Sequence, residues 1–288
     1  MFSYRHGFHA GNHADVLKHL ILLTCLELLH KKETPLMLID THAGAGIYNL
    51  QDRFATTSQE SEEGIIKLFQ MRSSSLLTDN IRHYLAVIES LQTQNNLLQI
   101  YPGSPYLLWQ SMRSLDKLRL MELHPTDFPV LQGNMASIQR KRQDIKVELA
   151  NGFNHLKAFL PPPSRRALVL IDPSYEDKGD YFQTIQTLQE AVKRFSTGIY
   201  IIWYPILNRL ESQEFPDRIK KLCNEHQLPW LRTELRIKNH QELGLSASGV
   251  WVINPPWKLK ETLEFDLPVV KSILEINGMG QHLIAHHE

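Results

Sequence analysis

Ala167-Leu168-Val169-Leu170-Ile171-Asp172-Pro173-Ser174-Tyr175-Glu176 opens with five apolar residues and then turns to an acid, a proline and an aromatic. A short, mostly branched apolar run with no polar alternation fits a strand buried on both faces. The polar turn that follows then sits at the carboxyl edge of a sheet, where open α/β folds bind their ligands. The residues of the turn suit one chemistry, methyl transfer to an exocyclic amine. The Asp172 carboxylate and the Pro173 carbonyl accept the two amine N–H bonds, the Tyr175 ring stacks on the base, and the proline stiffens the loop. Asp-Pro-Ser is also ordinary turn chemistry, so the motif needs support from the rest of the chain.

The same strand-then-polar pattern recurs. Pro35-Leu-Met-Leu-Ile-Asp40 leads into Thr41-His42-Ala43-Gly44-Ala45-Gly46, whose small residues let a ligand approach the backbone. The loop lacks the third glycine and phosphate cradle of a dinucleotide site, and suits S-adenosylmethionine, which carries no phosphate. Lys117-Leu-Arg-Leu-Met-Glu122 ends in an acid placed to accept ribose hydroxyls, and Asp144 to Leu149 delivers Asn151-Gly152 to the same edge. Ser104-Pro105 reads as a helix start. With Ile199 to Tyr204, Trp230 to Ile237 and Gly249 to Ile253, the expectation is an α/β, Rossmann-like methyltransferase fold. Its sheet is seven-stranded and mixed, with the last strand antiparallel.

Elsewhere the α/β rhythm breaks. Residues 53–99 read as a small helical insertion within a single domain spanning 1–288. Residues 1–13 form an arm whose glycines and lack of apolar periodicity predict mobility. An amphipathic helix follows from about Ala14 to Lys31, and by themselves its Lys18 and His19 read as a solvated lysine and a core-edge histidine. Arg140, Lys141, Arg142 and Lys146 make the densest basic patch. The formal net charge is zero, so no global field draws nucleic acid. Two cysteines provide neither a disulfide framework nor zinc spacing. No signal peptide or membrane span is read, which predicts a cytoplasmic, soluble protein. Asn254-Pro255-Pro256-Trp257 competes with the Asp172 turn. Because Asn254 follows the antiparallel strand, it should emerge at the opposite edge, which favours Asp172.

The turn at Asp172 resembles the Asp-Pro-Pro-Tyr motif of adenine-N6 methyltransferases, with Ser174 replacing the second proline. The opening Tyr4-Arg-His-Gly-Phe-His-Ala-Gly-Asn-His-Ala-Asp-Val-Leu-Lys18-His19, joined to Leu-Ile-Asp-Thr-His-Ala-Gly-Ala-Gly46, narrows this further. The chain is similar over essentially its whole length to the bacterial 23S rRNA adenine-N6 methyltransferase family, the large-subunit methyltransferase J type. That resemblance implies S-adenosylmethionine as donor, S-adenosylhomocysteine as product, no metal, and one adenine of 23S rRNA as acceptor, adenine 2030 in that family. It implies cofactor contacts from His19, His42, Gly44, Gly46, Ser104, Glu122, Asn151, Gly152 and Asp172. Catalytic positions are Asp172, Pro173, Tyr175, Tyr4, His6 and Lys18, with Tyr4 and Tyr175 on the substrate and Lys18 on the cofactor carboxylate or an RNA phosphate. Asn151 stands where the family has an aspartate, so its amide oxygen accepts without charge. A monomer acting on free rRNA or an early assembly particle is expected.

Three rival functions remain open at this point. A DNA adenine-N6 methyltransferase shares the chemistry, but the chain shows no separate target-recognition domain. A non-catalytic RNA-binding module would not need Asp172 and Tyr175. A metal site built from His6, His9, His13 and His19 lacks an acidic ligand nearby, and Gly11 breaks the helical spacing it needs.

Overall fold

A computed structural model describes residues 6–52, 60–92, 97–138, 144–242 and 244–287. After a 3-10 turn at His6–Phe8, the chain forms α1 (His13–His30), β1 (Met37–Asp40) and β2 (Ile47–Asn49). A π-helical turn (Glu62–Ile66), α2 (Lys67–Gln70) and α3 (Asp79–Glu89) precede β3 (Ile100–Pro102) and α4 (Ser104–Ser111). Then come β4 (Lys117–Glu122), α5 (Asp127–Ile138), β5 (Asp144–Leu149), α6 (Gly152–His155) and β6 (Ala167–Ile171). The last part holds α7 (Gly179–Arg194), β7 (Ile199–Pro205), α8 (Leu210–Glu225), β8 (Trp230–Arg236), β9 (Ala247–Ile253), α9 (Leu259–Leu274) and β10 (Gln281–His287).

The main sheet runs in the order β10-β8-β9-β7-β6-β1-β4-β5. β5, β4, β1, β6 and β7 are parallel neighbours, while β9 is antiparallel to both β7 and β8. Alternation along each strand splits the core between the two faces. Leu38, Leu168 and Leu170 join α1, α4 and α9 on one side. Ile39, Val169 and Ile171 join α7 and α8 on the other. The sheet has eight strands, not the seven expected. The extra one, β10, pairs antiparallel with β8 at the sheet edge. Its apolar residues Leu283-Ile284-Ala285 are consecutive and flanked by polar ones, so no period of two announces it.

α1 departs from the amphipathic reading, because every residue from His13 to Leu26 is buried. A helix covered all round belongs to an interior, and here the outer cover is the stretch between β2 and β3. Ile65, Leu68, Ile81, Tyr84, Leu85 and Ile88 from that stretch share one hydrophobic cluster with Leu17, Leu20 and Ile21. Over its described part the arm is tied down. Asn12 caps α1 by accepting from the Asp15 N–H at 2.9 Å, and the Ile65 N–H donates to the Gly11 carbonyl at 2.7 Å. A Cβ on Gly64 would lie 2.2 Å from that same carbonyl oxygen, so glycine allows this backbone contact. Residues 1–5, including Tyr4 and Arg5, lie outside the described residues, as do Arg140, Lys141 and Arg142 of the basic patch.

Candidate active site

The carboxyl ends of β1, β4, β5 and β6 open on one cleft of about 600 Å³, a volume typical of small-molecule sites. Its walls include Thr41, His42, Gly44, Ser104, Glu122, Asn151, Gly152, Phe153, Asp172 and Pro173. The loop after β1 is held as a ligand-facing turn. The Gly44 N–H donates to Glu122 Oε2 at 2.6 Å, and the His124 N–H donates to the other carboxylate oxygen at 2.6 Å. Gly44 adopts φ 59°, and a Cβ there would meet the Tyr48 hydroxyl at 2.3 Å. Gly152 passes so close to β1 that a Cβ would lie 1.9 Å from the Thr41 carbonyl oxygen. These two glycines are therefore required by geometry. Gly46 does not line the cleft and faces Leu131 and Pro105 instead.

Asp40 is a residue whose role sequence reasoning missed. It is fully buried, accepts from the Ser104 hydroxyl at 2.6 Å and from the His42 N–H at 3.2 Å, and so ties α4 to the glycine loop. Burial pushes its carboxyl up to about 7, assisted by the negative charge of Asp172. Burial also raises Glu122 above the usual carboxylate range, against the backbone N–H bonds that favour its charge. Asn151 lines the cleft while its side chain caps α6, accepting from the Asn154 N–H at 3.2 Å.

At the end of β6, the Asp172 carboxylate meets a lysine. Lys18 Nζ donates to Asp172 Oδ2 at 2.5 Å and pairs with Asp15 Oδ1 at 2.7 Å. Asp15 Oδ2 is held in turn by His6 Nε2 at 3.0 Å and by the Gly11 N–H at 2.9 Å. Burial works against the Lys18 charge, but Asp15 and Asp172 outweigh it and hold the ammonium above its usual range. The lysine read as solvated is 3% exposed and grips the acid of the turn after β6. Its ammonium faces two carboxylates and lines the cleft. Asp15, which organises this chain of charges, had no signal in the sequence beyond helical spacing from Lys18.

Two predicted contacts are not brought to the cleft. His19 is fully buried, with Nδ1 on the Tyr101 hydroxyl at 2.9 Å and its ring stacked on Tyr101, so it packs the core and does not line the cleft. Burial lowers its imidazole to about 3. Tyr175 is 1% exposed, with its ring among Tyr181, Trp203 and Phe215. Its backbone is left-handed (φ 55°), which turns the side chain into the layer between sheet and helices, and the expected stacking face is absent from the cleft. His6, by contrast, does line it.

The competing turn lies elsewhere. Tyr200 at the start of β7 is paired with Ile253 at the end of β9, so Asn254 emerges at the amino edge of the parallel set. Its side chain donates to the Ser196 and Gly198 carbonyls at 2.7 and 2.6 Å and terminates the strand. The arm histidines take separate partners: His6 binds Asp15, and His9 binds Glu60 at 3.0 Å. Among the described residues no helix is long and apolar enough to cross a membrane.

A sequence-family profile described as ribosomal RNA large subunit methyltransferase D, RlmJ, matches residues 33–284. The chain is 40% identical over 290 residues to the Escherichia coli protein named ribosomal RNA large subunit methyltransferase J, covering 99% of this chain and 98% of that one. It is likewise 40% identical to the Haemophilus influenzae protein of the same name, covering 97% and 96% respectively. A crystal structure of a Legionella pneumophila protein superposes with a TM-score of 0.87 at 34% identity, covering 96% of this chain and 98% of that one.

Proposed function

This chain belongs to the RlmJ family of ribosomal RNA large subunit methyltransferases, and on that premise we propose that it methylates the N6 amine of an adenine in 23S rRNA. The observation that carries the reading is the Asp172 turn, set at the carboxyl edge of β6 and held by Lys18 in the cleft that Glu122 and the glycine loop also wall.

The residues present fit S-adenosylmethionine. Glu122 keeps lone pairs free for a ribose diol beyond the two N–H bonds it accepts. Phe153 and Leu123 give apolar wall, and the lining carboxylates Glu122, Asp127, Asp172, Glu176, Asp177 and Asp180 suit a cationic ligand better than a phosphate. When bound, that cofactor supplies a methyl group on an electrophilic sulfonium. Glu122 would hold the ribose, the glycine loop and His42 would border the methionine portion, and Ser104 and Asn151 would complete the wall.

The chain's own part in the reaction follows from the pairing at Asp172. Lys18 occupies Oδ2, which leaves Oδ1 to accept one N6 hydrogen while the Pro173 carbonyl accepts the other. Both bonds favour a pyramidal nitrogen with a localised lone pair, and fixing it in line with the methyl supplies much of the rate. A methylated N6 cation is strongly acidic, so the carboxylate oxygen Oδ1 is sufficient to take the proton. The target adenine must leave any duplex to enter the cleft; free rRNA or an early assembly particle in the cytoplasm is the acceptor in this reading, met by a monomer. Tyr4 and His6 of the arm hold the substrate in this reading. The test is to map N6-methyladenine in 23S rRNA from a deletion strain with and without the gene restored. Restoration that adds no methyl group, or adds it to another base, would overturn the assignment.

A further inference from the structure

The catalytic turn has only one of the two prolines that stiffen Asp-Pro-Pro-Tyr, yet its fourth residue adopts a conformation that a tyrosine rarely holds. Tyr175 sits at φ 55°, a region that costs a non-glycine residue free energy unless its surroundings over-determine it. Two side chains from outside the turn bind the peptide groups flanking this residue. The Asp180 carboxylate, in the first turn of α7, accepts from the Tyr175 N–H at 3.0 Å. Arg209, immediately before α8, donates through Nη2 to the Tyr175 carbonyl and to the Tyr181 hydroxyl at 3.1 Å. Its guanidinium carbon also lies 5.1 Å from the centre of the Tyr181 ring, so it is fixed in place by an aromatic face as well as by its hydrogen bonds. The Ser174 hydroxyl accepts weakly from the Glu176 N–H at 3.4 Å.

We propose that Asp180 and Arg209 are positioning residues that clamp the Tyr175 peptide and so aim the Pro173 carbonyl and the Asp172 carboxylate, the clamp replacing the stiffness of the missing proline. This rests on the methyl-transfer reading above. Only two residues separate Tyr175 from Asp172, so rotation about the Ser174 backbone swings the Pro173 carbonyl away from the amine it must meet. A second proline removes that freedom covalently. Here the same freedom is removed by an acceptor on α7 and a donor on the loop after β7, both anchored to helices that pack on the sheet. Placing a carbonyl to within fractions of an ångström matters to rate far more than to ligand affinity.

The test uses the full-length protein with 23S rRNA from the deletion strain, in single turnover at saturating RNA and S-adenosylmethionine. Asp180→Ala and Arg209→Ala should each lower the rate ten- to a hundredfold, while calorimetry gives a cofactor affinity within twofold of the parent. Asp180→Asn keeps an acceptor for the Tyr175 N–H and should retain most of the rate, which separates positioning from the loss of a charge. The decisive variant is Ser174→Pro in the Asp180→Ala background. The Ser174 backbone N–H makes no hydrogen bond among the described residues, so proline deletes none there and should restore most of the lost rate. Unchanged rates in both alanine variants would overturn the clamp. So would losses that appear only as weaker RNA binding, or that Ser174→Pro does not repair. If the parent protein itself transfers no methyl group to adenine, the reading of function fails, whatever these variants do.

Discussion

Lys18 Nζ stands 2.5 Å from Asp172 Oδ2, linking the first helix to a strand end 154 residues further along the chain. Asp15 closes the arrangement at 2.7 Å from the same nitrogen. One buried cation therefore serves two carboxylates, and the two ends of the pair are not equivalent. Removing Lys18 strands Asp172 and leaves Asp15 only His6 and the Gly11 N–H, whereas removing Asp172 leaves the lysine still paired with Asp15.

These two deletions should therefore differ in stability. Lys18→Ala should cost about 3–5 kcal/mol in urea unfolding, the usual penalty for a buried charge left without its partner. Asp172→Ala should cost clearly less and leave a folded protein. Both should abolish methyl transfer. Asn254→Ala should show the opposite split: stability lost through the two carbonyls it caps and its positive φ, with the single-turnover rate nearly intact. A dead Asn254 variant beside an active Asp172 variant would reverse the assignment of the catalytic turn.

At Glu122 the expected loss is in binding. Its carboxylate already shapes the glycine loop through the Gly44 N–H, so Glu122→Ala removes a ribose acceptor and loosens the loop together. S-adenosylmethionine affinity should fall roughly ten- to a hundredfold, about 1.5–3 kcal/mol. Calorimetry that finds the affinity unchanged would take Glu122 out of the site.

In the arm, His6 lines the cleft and binds Asp15 at 3.0 Å. His6→Ala should sharply reduce methylation while leaving cofactor affinity within about twofold, because in this reading the residue faces the acceptor. The Tyr4→Ala variant should behave alike. A fall in thermal stability with single-turnover methylation unchanged at saturating RNA would reduce the arm to a packing element.

What the sequence made legible was whatever its local pattern encodes. Runs such as Ala167–Ile171 are apolar at every position, so both the strand and the edge where Asp172 emerges follow from the run itself. The antiparallel direction of β9 was enough to separate Asn254 from Asp172. Long-range burial was not legible. Lys18 reads as solvated because the cover on α1 comes from residues 62–88, and its salt bridge comes from β6. His19 has the same spacing as a ligand-facing residue until Tyr101 is seen against its ring. The placement of Tyr175 turns on one backbone angle, which its aromatic type does not announce. β10 is held by backbone pairing to β8, not by a pattern of its own.

Stability should also depend on pH through Asp40. Its carboxyl is pushed up to about 7 by burial, from an ordinary value of 3.8. Between those two values the folded protein keeps a proton that the unfolded chain has lost. Folding therefore gains from acid here, and this contribution is present below about pH 4 and fades as pH rises through about 7. Asp15 contributes with the opposite sign, because burial raises its carboxyl but His6 and Lys18 outweigh that and hold it well below its usual range; its stability is lost in acid. The two can be separated by difference. Asp40→Asn keeps an acceptor for the Ser104 hydroxyl or the His42 N–H and removes the titration. Relative to the parent, its unfolding free energy should rise by roughly 2–4 kcal/mol between about pH 4.5 and 7.5, because each tenfold difference in proton affinity between folded and unfolded chains is worth about 1.36 kcal/mol. A difference that stays constant across that range would mean that Asp40 is ionised throughout, with its charge already carried by the hydroxyl and amide that bind it.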